Sequence, residues 1–241
     1  MIFRYEQYRK LMQEMCKLGR FELFRNWKGD KVYLLRHDVD FDIKLAHNLA
    51  VIENEMGITS TYFILTTCET YNIFSPNNKK YLRDIAGMGH EVGLHFDPTQ
   101  YSEELEKYVK KEIEFLSDAS QYEVKSISLH NPSVHGFYPI FEGYVNAYDP
   151  HVFSDSNYIS DSRFLFRGKD IFEFIRNIDK SMLQILLHPM HYSETGDGYD
   201  KIVVDHIVRY MKEIHNTFGV NSTYIEQVGD DIITKFRNMM Q

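Results

Sequence analysis

The sequence predicts an α/β fold in which parallel strands form a central sheet and helices cover it. Short apolar runs alternate with amphipathic segments whose apolar residues recur at helical spacing. Strand, helix and strand in this order form a right-handed parallel crossover unit. Side chains able to bind a ligand follow three of the first four predicted strands, namely Asp38 with Asp40, then His95, then His130. In parallel α/β folds, sites lie at the carboxyl ends of the strands.

The first predicted strand is the apolar run Val32 to Leu35, which leads into Arg36-His37-Asp38-Val39-Asp40. Two carboxylates two residues apart repel each other, and partial burial makes both harder to ionise. A divalent metal offsets this repulsion better than one cationic side chain, because carboxylate and imidazole groups are its ordinary ligands. The alternative interpretations are a surface turn rich in Asp and His, or a structural salt bridge from Arg36 to the carboxylates.

The other elements of the first half follow from the same periodicity. Tyr5 to Leu18 has apolar residues at helical spacing and is closed by Gly19, and an extended lead-in, Phe21 to Trp27, follows. After the first strand the predicted elements are helix Ile43 to Met56, strand Ile58 to Leu65, helix Asn77 to Ala86 capped by Asn77, strand Val92 to Leu94, helix Ser102 to Leu116 and strand Val124 to Leu129. The aromatic loop tip Tyr71-Asn72-Ile73-Phe74 is either a binding lip or a loop folded over the core.

The second half contains further predicted helices and strands. Gly136 to Val152 is rich in aromatic and turn-forming residues and favours a short helix and an irregular strand. The later elements are a strand within Asn157 to Ser162 that ends in Asp161, a helix Ile171 to Ile178 capped by Asp170, a strand Met182 to Leu187 followed by His188, a helix Asp200 to Phe218 and a terminal helix Ser222 to Met240. The chain shows no internal repeat or linker, so a single domain over residues 1–241 is expected.

Composition excludes some classes of function. The formal net charge of -8 argues against a nucleic-acid-binding surface. No apolar run approaches the length of a membrane span, and Met1 to Arg20 is charged throughout and lacks a signal-peptide core. Cys16 and Cys68 form no metal or redox motif, which favours a cytoplasmic chain with free thiols.

Together these motifs resemble the NodB-type polysaccharide deacetylase superfamily, carbohydrate esterase family 4. The first motif reads Arg-His-Asp-Val-Asp instead of the usual Thr-Phe-Asp-Asp-Gly. The strongest matches are Leu35 to Asp40, Ser60 to Leu65, Gly89 to Asp97 and Leu186 to Tyr192, and the weaker ones are Leu129 to Ser133 and Ser160 to Ser162. The resemblance implies a distorted (β/α)7-type barrel, NodB-like, with an N-terminal helix. It also implies a metal-dependent hydrolase that removes an N-acyl group, such as acetyl, from a sugar or glycan precursor in surface polysaccharide biosynthesis. The partner that the resemblance implies is therefore a small-molecule or glycan substrate.

The resemblance also implies roles for single residues. Asp38 is the general base and Asp40 a metal ligand, or the reverse, because Val39 separates them. His188 is the general acid, and Asp161 orients a catalytic partner. A short turn or a helix cap is the structural alternative for Asp161.

The second motif departs from the family. His95 matches the first metal-binding histidine, but Thr99 stands where the second belongs. His130 completes the metal site in the preferred interpretation, and Asp97 is the other candidate. His130 is equally well explained as a strand-terminal residue that binds a loop backbone, and His90 and His191 are more typical of core or supporting histidines.

Zinc is the expected metal, because Asp and His are among its usual ligands. Two other functions stay open. One is a hydrolase of the C–N bond in a non-sugar amide. The other is a catalytically inactive carbohydrate-binding relative, which the Thr99 departure favours.

Overall fold

The computed structural model of the chain describes residues 3–166 and 168–240, and its centre is a seven-stranded sheet. The strands are β1 (Tyr33–Val39), β2 (Thr61–Ile64), β3 (Glu91–Phe96), β4 (Ser126–Leu129), β5 (Val145–Asn146), β6 (Tyr158–Ser160) and β7 (Leu183–Leu187). Their order is β5-β4-β3-β2-β1-β7-β6, and every neighbouring pair is parallel. The predicted α/β fold class with parallel central strands is confirmed.

The sheet is curled rather than flat. Strands β1 and β4 are separated by two others, so a flat sheet would hold them roughly 14 Å apart. Yet Ser128 Oγ of β4 lies 3.5 Å from Asp38 Oδ2 of β1. Gln184 of β7 likewise reaches the far side, because its Nε2 donates to the carbonyl oxygen of Ala147, just after β5, at 3.0 Å. Strands β5 and β6 are the two edges of the sheet and do not pair with each other in the described part of the chain, so the barrel is open.

The helices cover the outside of the sheet. They are α1 (Tyr5–Leu18), α2 (Ile43–Glu55), α3 (Pro76–Gly87), α4 (Leu105–Ser120), α5 (Pro132–His135) and α6 (Ile171–Phe174), which continues as a 3-10 turn over Ile175–Asp179. The N-terminal helix has the predicted bounds and buries Tyr8, Leu11, Met12 and Met15. Asp170 caps α6 as predicted, since its Oδ1 accepts from the backbone N–H groups of Phe172 and Glu173.

The chain divides into two compact units, one that ends at Glu194 and one that begins at Thr195. The sheet and α1 to α6 belong to the first unit. The second consists of α7 (Tyr199–Phe218), α8 (Ser222–Val228) and α9 (Ile232–Met239), and α7 packs against α9. The single-domain assignment of residues 1–241 stays a prediction. None of the helices in the described part of the chain has the length and apolar character of a membrane-spanning segment.

Several predicted elements differ in their bounds from those observed, and three of the differences have a clear physical cause. Strand β1 does not end at Leu35 but continues to Val39 with every residue buried, because its charged side chains find partners inside the barrel. The cap of α3 is Ser75 rather than Asn77, and Pro76 occupies the first helical position that proline favours. The predicted terminal helix is two helices, since Gly229 adopts a φ of +84° between α8 and α9.

Gly93 lies where β3 passes closest to a buried aromatic ring. A Cβ at this position would stand 2.6 Å from the Phe63 ring and 2.8 Å from Ser126 Oγ. Overpacking of this kind costs about 1–3 kcal/mol, so Gly93→Ala is expected to lower the melting temperature by roughly 2–12 °C. Gly87→Ala is the matched control, because a Cβ there meets open space at the end of α3. Calorimetry that gave both variants the same melting temperature would contradict this account of β3.

Candidate active site

The interior face of β1 carries a buried ion pair. Alternate residues of a strand share a face, so Arg36, Asp38 and Asp40 point into the barrel. Arg36 is fully buried, and its Nη2 donates to Asp38 Oδ2 at 2.8 Å and to Tyr148 Oη at 3.0 Å. Its Nη1 donates to Gln184 Oε1 at 2.9 Å. Asp38 Oδ1 is buried and has no hydrogen-bond partner among the described residues. The salt bridge thus uses one oxygen of Asp38 and leaves the other for a ligand.

Asp40 and His95 face each other at the rim of the barrel. His95 Nε2 is 3.0 Å from Asp40 Oδ1 and 3.8 Å from Asp38 Oδ2. Burial alone would lower the pKa of His95, but the two carboxylates raise it above its ordinary value. Burial would raise the pKa of Asp40, but His95, with His188 and His130 farther off, holds it well below its usual range. The predicted residues of β1 and β3 therefore come together.

Asp161 fixes His188 at the end of β7. Its Oδ1 lies 2.5 Å from His188 Nδ1, and both of its carboxylate oxygens accept from the His188 backbone N–H at 3.1 Å. This places His188 Nε2 3.7 Å from Asp40 Oδ2. Burial disfavours the charged form of His188, but Asp161 and the β1 carboxylates outweigh it and raise the pKa of His188 to about 9. Burial also opposes ionisation of Asp161, yet His188 and His191 lower its pKa to about 2.

His130 lies at the same rim, but its contacts lead away from Asp40. Its Nδ1 is 3.4 Å from Asp97 Oδ2, and its Nε2 is 2.9 Å from the side-chain amide nitrogen of Asn131. Its ring centroid is 5.4 Å from that of His95. Asp97 accepts from the backbone N–H and the hydroxyl of Thr99, at 3.0 and 2.7 Å. Thr99 thus supports the turn after β3 rather than taking the place of a ligand.

The donor set suits a divalent cation. Among the described residues, the three that bring candidate ligand atoms within 4.8 Å of one another are Asp161, His188 and His191. Asp40, His95 and His130 do not converge this closely, so their joint role as ligands stays a prediction. Nevertheless Asp40 Oδ1 lies 3.0 Å from His95 Nε2, Asp38 Oδ2 lies 3.8 Å from the same nitrogen, and Asp38 Oδ1 is buried without a partner among the described residues. Asp and His groups that face one another with an unused oxygen are what a first-row metal ion accepts as ligands.

Sequence reasoning missed a further buried carboxylate, that of Glu53 in α2, on the helix-covered face of β1. Both of its oxygens are saturated with donors. The donors are Tyr8 Oη, Ser60 Oγ (2.6 Å), Tyr62 Oη (2.8 Å) and His37 Nε2 (2.8 Å). A signal was present in the sequence, since Glu53 follows Leu49 by four residues and so lies on the apolar face of its helix. A charged residue on such a face predicts a buried polar network.

His37 joins this carboxylate to the end of β7. Its Nε2 lies 2.8 Å from Glu53 Oε1, and its Nδ1 lies 3.0 Å from the carbonyl oxygen of Leu187. Both partners are acceptors, so a hydrogen on either ring nitrogen has an acceptor to meet. Burial would raise the pKa of Glu53, but His37, His90 and Ser60 lower it to about 2. The ion pair therefore ties α2 and β1 to the residue directly before His188.

No protein-family model matches the chain, and no curated protein matches it. Several solved structures are similar to it. A family 4 carbohydrate esterase from Bacillus anthracis is 16% identical over 82% of this chain and 82% of its own, with a TM-score of 0.44. Peptidoglycan deacetylase PdaC from Bacillus subtilis is 16% identical over 78% of this chain and 98% of its own, with a TM-score of 0.43.

A third similar structure is a mutant of a CE4 family pseudoenzyme with restored enzymatic activity. It is 15% identical over 75% of this chain, with a TM-score of 0.45, and the chain spans 64% of its length. These proteins are ones that the chain is similar to. At such identities and TM-scores, what the chain does has to be argued from its own side chains.

Proposed function

We propose that this protein is a metal-dependent hydrolase that removes an N-acyl group, such as acetyl, from a sugar or glycan precursor. One observation carries the proposal, the juxtaposition of a base and an acid beside Asp40. Asp38 has a buried oxygen without a hydrogen-bond partner among the described residues, and His188 directs Nε2 towards Asp40 while Asp161 holds its Nδ1. Amide hydrolysis needs such a pair. The resemblance of the strand-end motifs to polysaccharide deacetylases supports a sugar as the substrate.

The reaction moves two protons. Asp38 Oδ1 accepts a proton from the attacking water as the C–O bond forms at the acyl carbon. His188, which a pKa of about 9 keeps protonated at neutral pH, donates from Nε2 to the amine as the C–N bond breaks. The amine needs this proton because an amide nitrogen leaves poorly as an anion. Asp161 keeps the ring of His188 oriented and stabilises its charged form.

Asp40 and His95 would hold the metal, and His130 is the third ligand that we propose. A divalent metal at this rim supplies Lewis acidity, which lowers the pKa of a bound water and polarises the acyl oxygen. Zinc is the metal we propose, because Asp and His side chains are its ordinary ligands, although other first-row metals accept the same set.

Metal content and acetate release, measured together, test the proposal. Protein purified without added metal is expected to carry about one equivalent of metal and to release acetate from N-acetylated sugars. His95→Ala and His130→Ala are expected to lose both the metal and the activity. His135→Ala is the matched control, because His135 is exposed on α5. This variant should retain both the metal and the activity.

Two outcomes would overturn the proposal in different ways. Protein without metal or acetate release, even after zinc is supplied, would favour an inactive carbohydrate-binding relative. Release of acetate from non-sugar amides alone would favour a different C–N hydrolase. The role in surface polysaccharide biosynthesis and the cytoplasmic location stay predictions from the sequence.

A further inference from the structure

A cavity lies beside the candidate active site. It has a volume of about 420 Å³, within the roughly 300–1,000 Å³ that small-ligand sites occupy. The loop between β2 and α3 forms one wall, and residues after β3 form the other. We call it the lateral pocket and define it by Thr66, Tyr71, Phe74, Tyr101, Glu112 and Phe115.

The loop wall of the lateral pocket is bonded to the backbone of the candidate active site. Three consecutive carbonyl groups at the end of β1 accept hydrogen bonds from loop side chains. The pairs are Tyr71 Oη to Val39 (2.6 Å), Cys68 Sγ to Asp40 (3.2 Å) and Thr70 Oγ1 to Phe41 (2.7 Å). A ligand group in the lateral pocket would therefore lie next to the segment that carries Asp38 and Asp40.

The polar part of the lateral pocket is a carboxylate held in place. Glu112 is only 5% exposed, and it accepts a hydrogen bond from Tyr101 Oη at 2.6 Å and another from Thr66 Oγ1. A carboxylate offers about four acceptor positions, so two remain for hydroxyl donors of a ligand. Thr67 also lines the pocket, and its buried hydroxyl has no hydrogen-bond partner among the described residues. A buried hydroxyl without a partner is unusual and favours a polar ligand in this pocket.

The mouth of the lateral pocket is aromatic. Phe74 and Phe115 are 46% and 49% exposed, and their rings meet edge to face with centroids 6.1 Å apart. Exposed paired rings over a polar floor favour a ligand with one apolar face and several hydroxyl groups. Among the described lining residues none is cationic and Glu112 supplies a carboxyl group, which disfavours an anionic ligand. A pyranose ring without negative charge has this combination of properties.

We propose that the lateral pocket is a binding subsite for an uncharged sugar unit linked to the N-acylated unit that is hydrolysed. This inference rests on the proposed function for the identity of the reacting unit. Glu112 and Thr67 bind hydroxyl groups of the sugar, and Phe115 packs against its C–H face. The pocket therefore makes the protein prefer an oligosaccharide over a single sugar.

The test compares a tetramer of β-1,4-linked N-acetylglucosamine with the N-acetylglucosamine monomer. Phe115→Ala and Glu112→Gln are each expected to reduce the preference for the tetramer, measured as the ratio of kcat/KM values, by about tenfold. Leu18→Ala is the control, because it removes an exposed apolar side chain of α1 outside the pocket and should leave the ratio unchanged. An unchanged ratio in both pocket variants, with acetate still released, would overturn the subsite and leave the hydrolase intact.

Binding separates the two proposals where turnover is absent. Titration of the tetramer into Asp38→Asn protein, followed by NMR, measures the affinity for the tetramer without turnover. Weaker binding after Phe115→Ala is added would support the subsite even if no sugar is deacetylated. Binding unaffected by that substitution, or no binding of the tetramer at all, would overturn it.

Discussion

Asp38→Asn is expected to lower kcat for N-acyl hydrolysis by about 100- to 10,000-fold, the range that a general base contributes. Asparagine retains the shape of the side chain and an oxygen that accepts from Arg36, but it cannot take a proton from water. Because Asp40 and His95 are unchanged, metal content should stay near that of the unaltered protein. The measurement is acetate release, with metal content and melting temperature determined on the same sample.

The matched control for this variant is Asp42→Asn. Asp42 is also buried and lies only four residues away, but its Oδ1 caps α2 by accepting from the backbone N–H of Lys44 at 2.9 Å. Asparagine caps helices as well as aspartate does, so stability and turnover should both be retained. Full turnover in Asp38→Asn would contradict its role as base. If Asp40→Asn instead lost turnover at full metal content, Asp40 would be the general base and Asp38 the metal ligand.

The sequence predicted the parallel sheet because each strand and helix leaves a local pattern. Apolar runs, glycine stops and caps lie within a few residues of the elements they define, and Asp170 and Gly19 illustrate this. The length of β1 was missed for the opposite reason. Arg36 and Asp38 are tolerated in a buried strand because Tyr148 and Gln184, both more than 100 residues away, solvate the guanidinium. Such long-range partners leave no trace in a local window.

The positions of the site residues were predictable from local patterns, but the directions of their side chains were not. Parallel strands bring their ends to one rim, and the structure places Asp38, Asp40, His95 and His188 there in contact or near contact. For His130, rim position alone does not decide which way the ring points. In the structure Asp97 contacts its Nδ1 and Asn131 contacts its Nε2, and these two contacts orient the ring.

Glu53→Gln is expected to be the most destabilising substitution outside the rim. Removal of one partner of a buried ion pair costs about 3–5 kcal/mol, because the other charge is left unpaired, and this corresponds to a melting temperature roughly 6–20 °C lower. His37 would be the unpaired group, since its other nitrogen meets only the Leu187 carbonyl oxygen and the Glu53 charge is gone. Glu55→Gln is the control on the same helix. Its ion pair with Arg9 is exposed, and such pairs contribute about 1 kcal/mol or less.

The pH dependence of the melting-temperature difference between the unaltered protein and Glu53→Gln identifies the cause of the destabilisation. The pKa of Glu53 is lowered from its ordinary 4.5 to about 2 by folding, so its contribution is complete above pH 4.5 and is lost as the pH falls towards 2. The gap in melting temperature between the unaltered protein and Glu53→Gln should therefore narrow as the pH falls from 4.5 towards 2. A gap that did not narrow would mean that lost packing, rather than lost charge, destabilises the variant. A gap no larger than that of Glu55→Gln would mean that the buried Glu53 carboxylate contributes no more to stability than an exposed ion pair does.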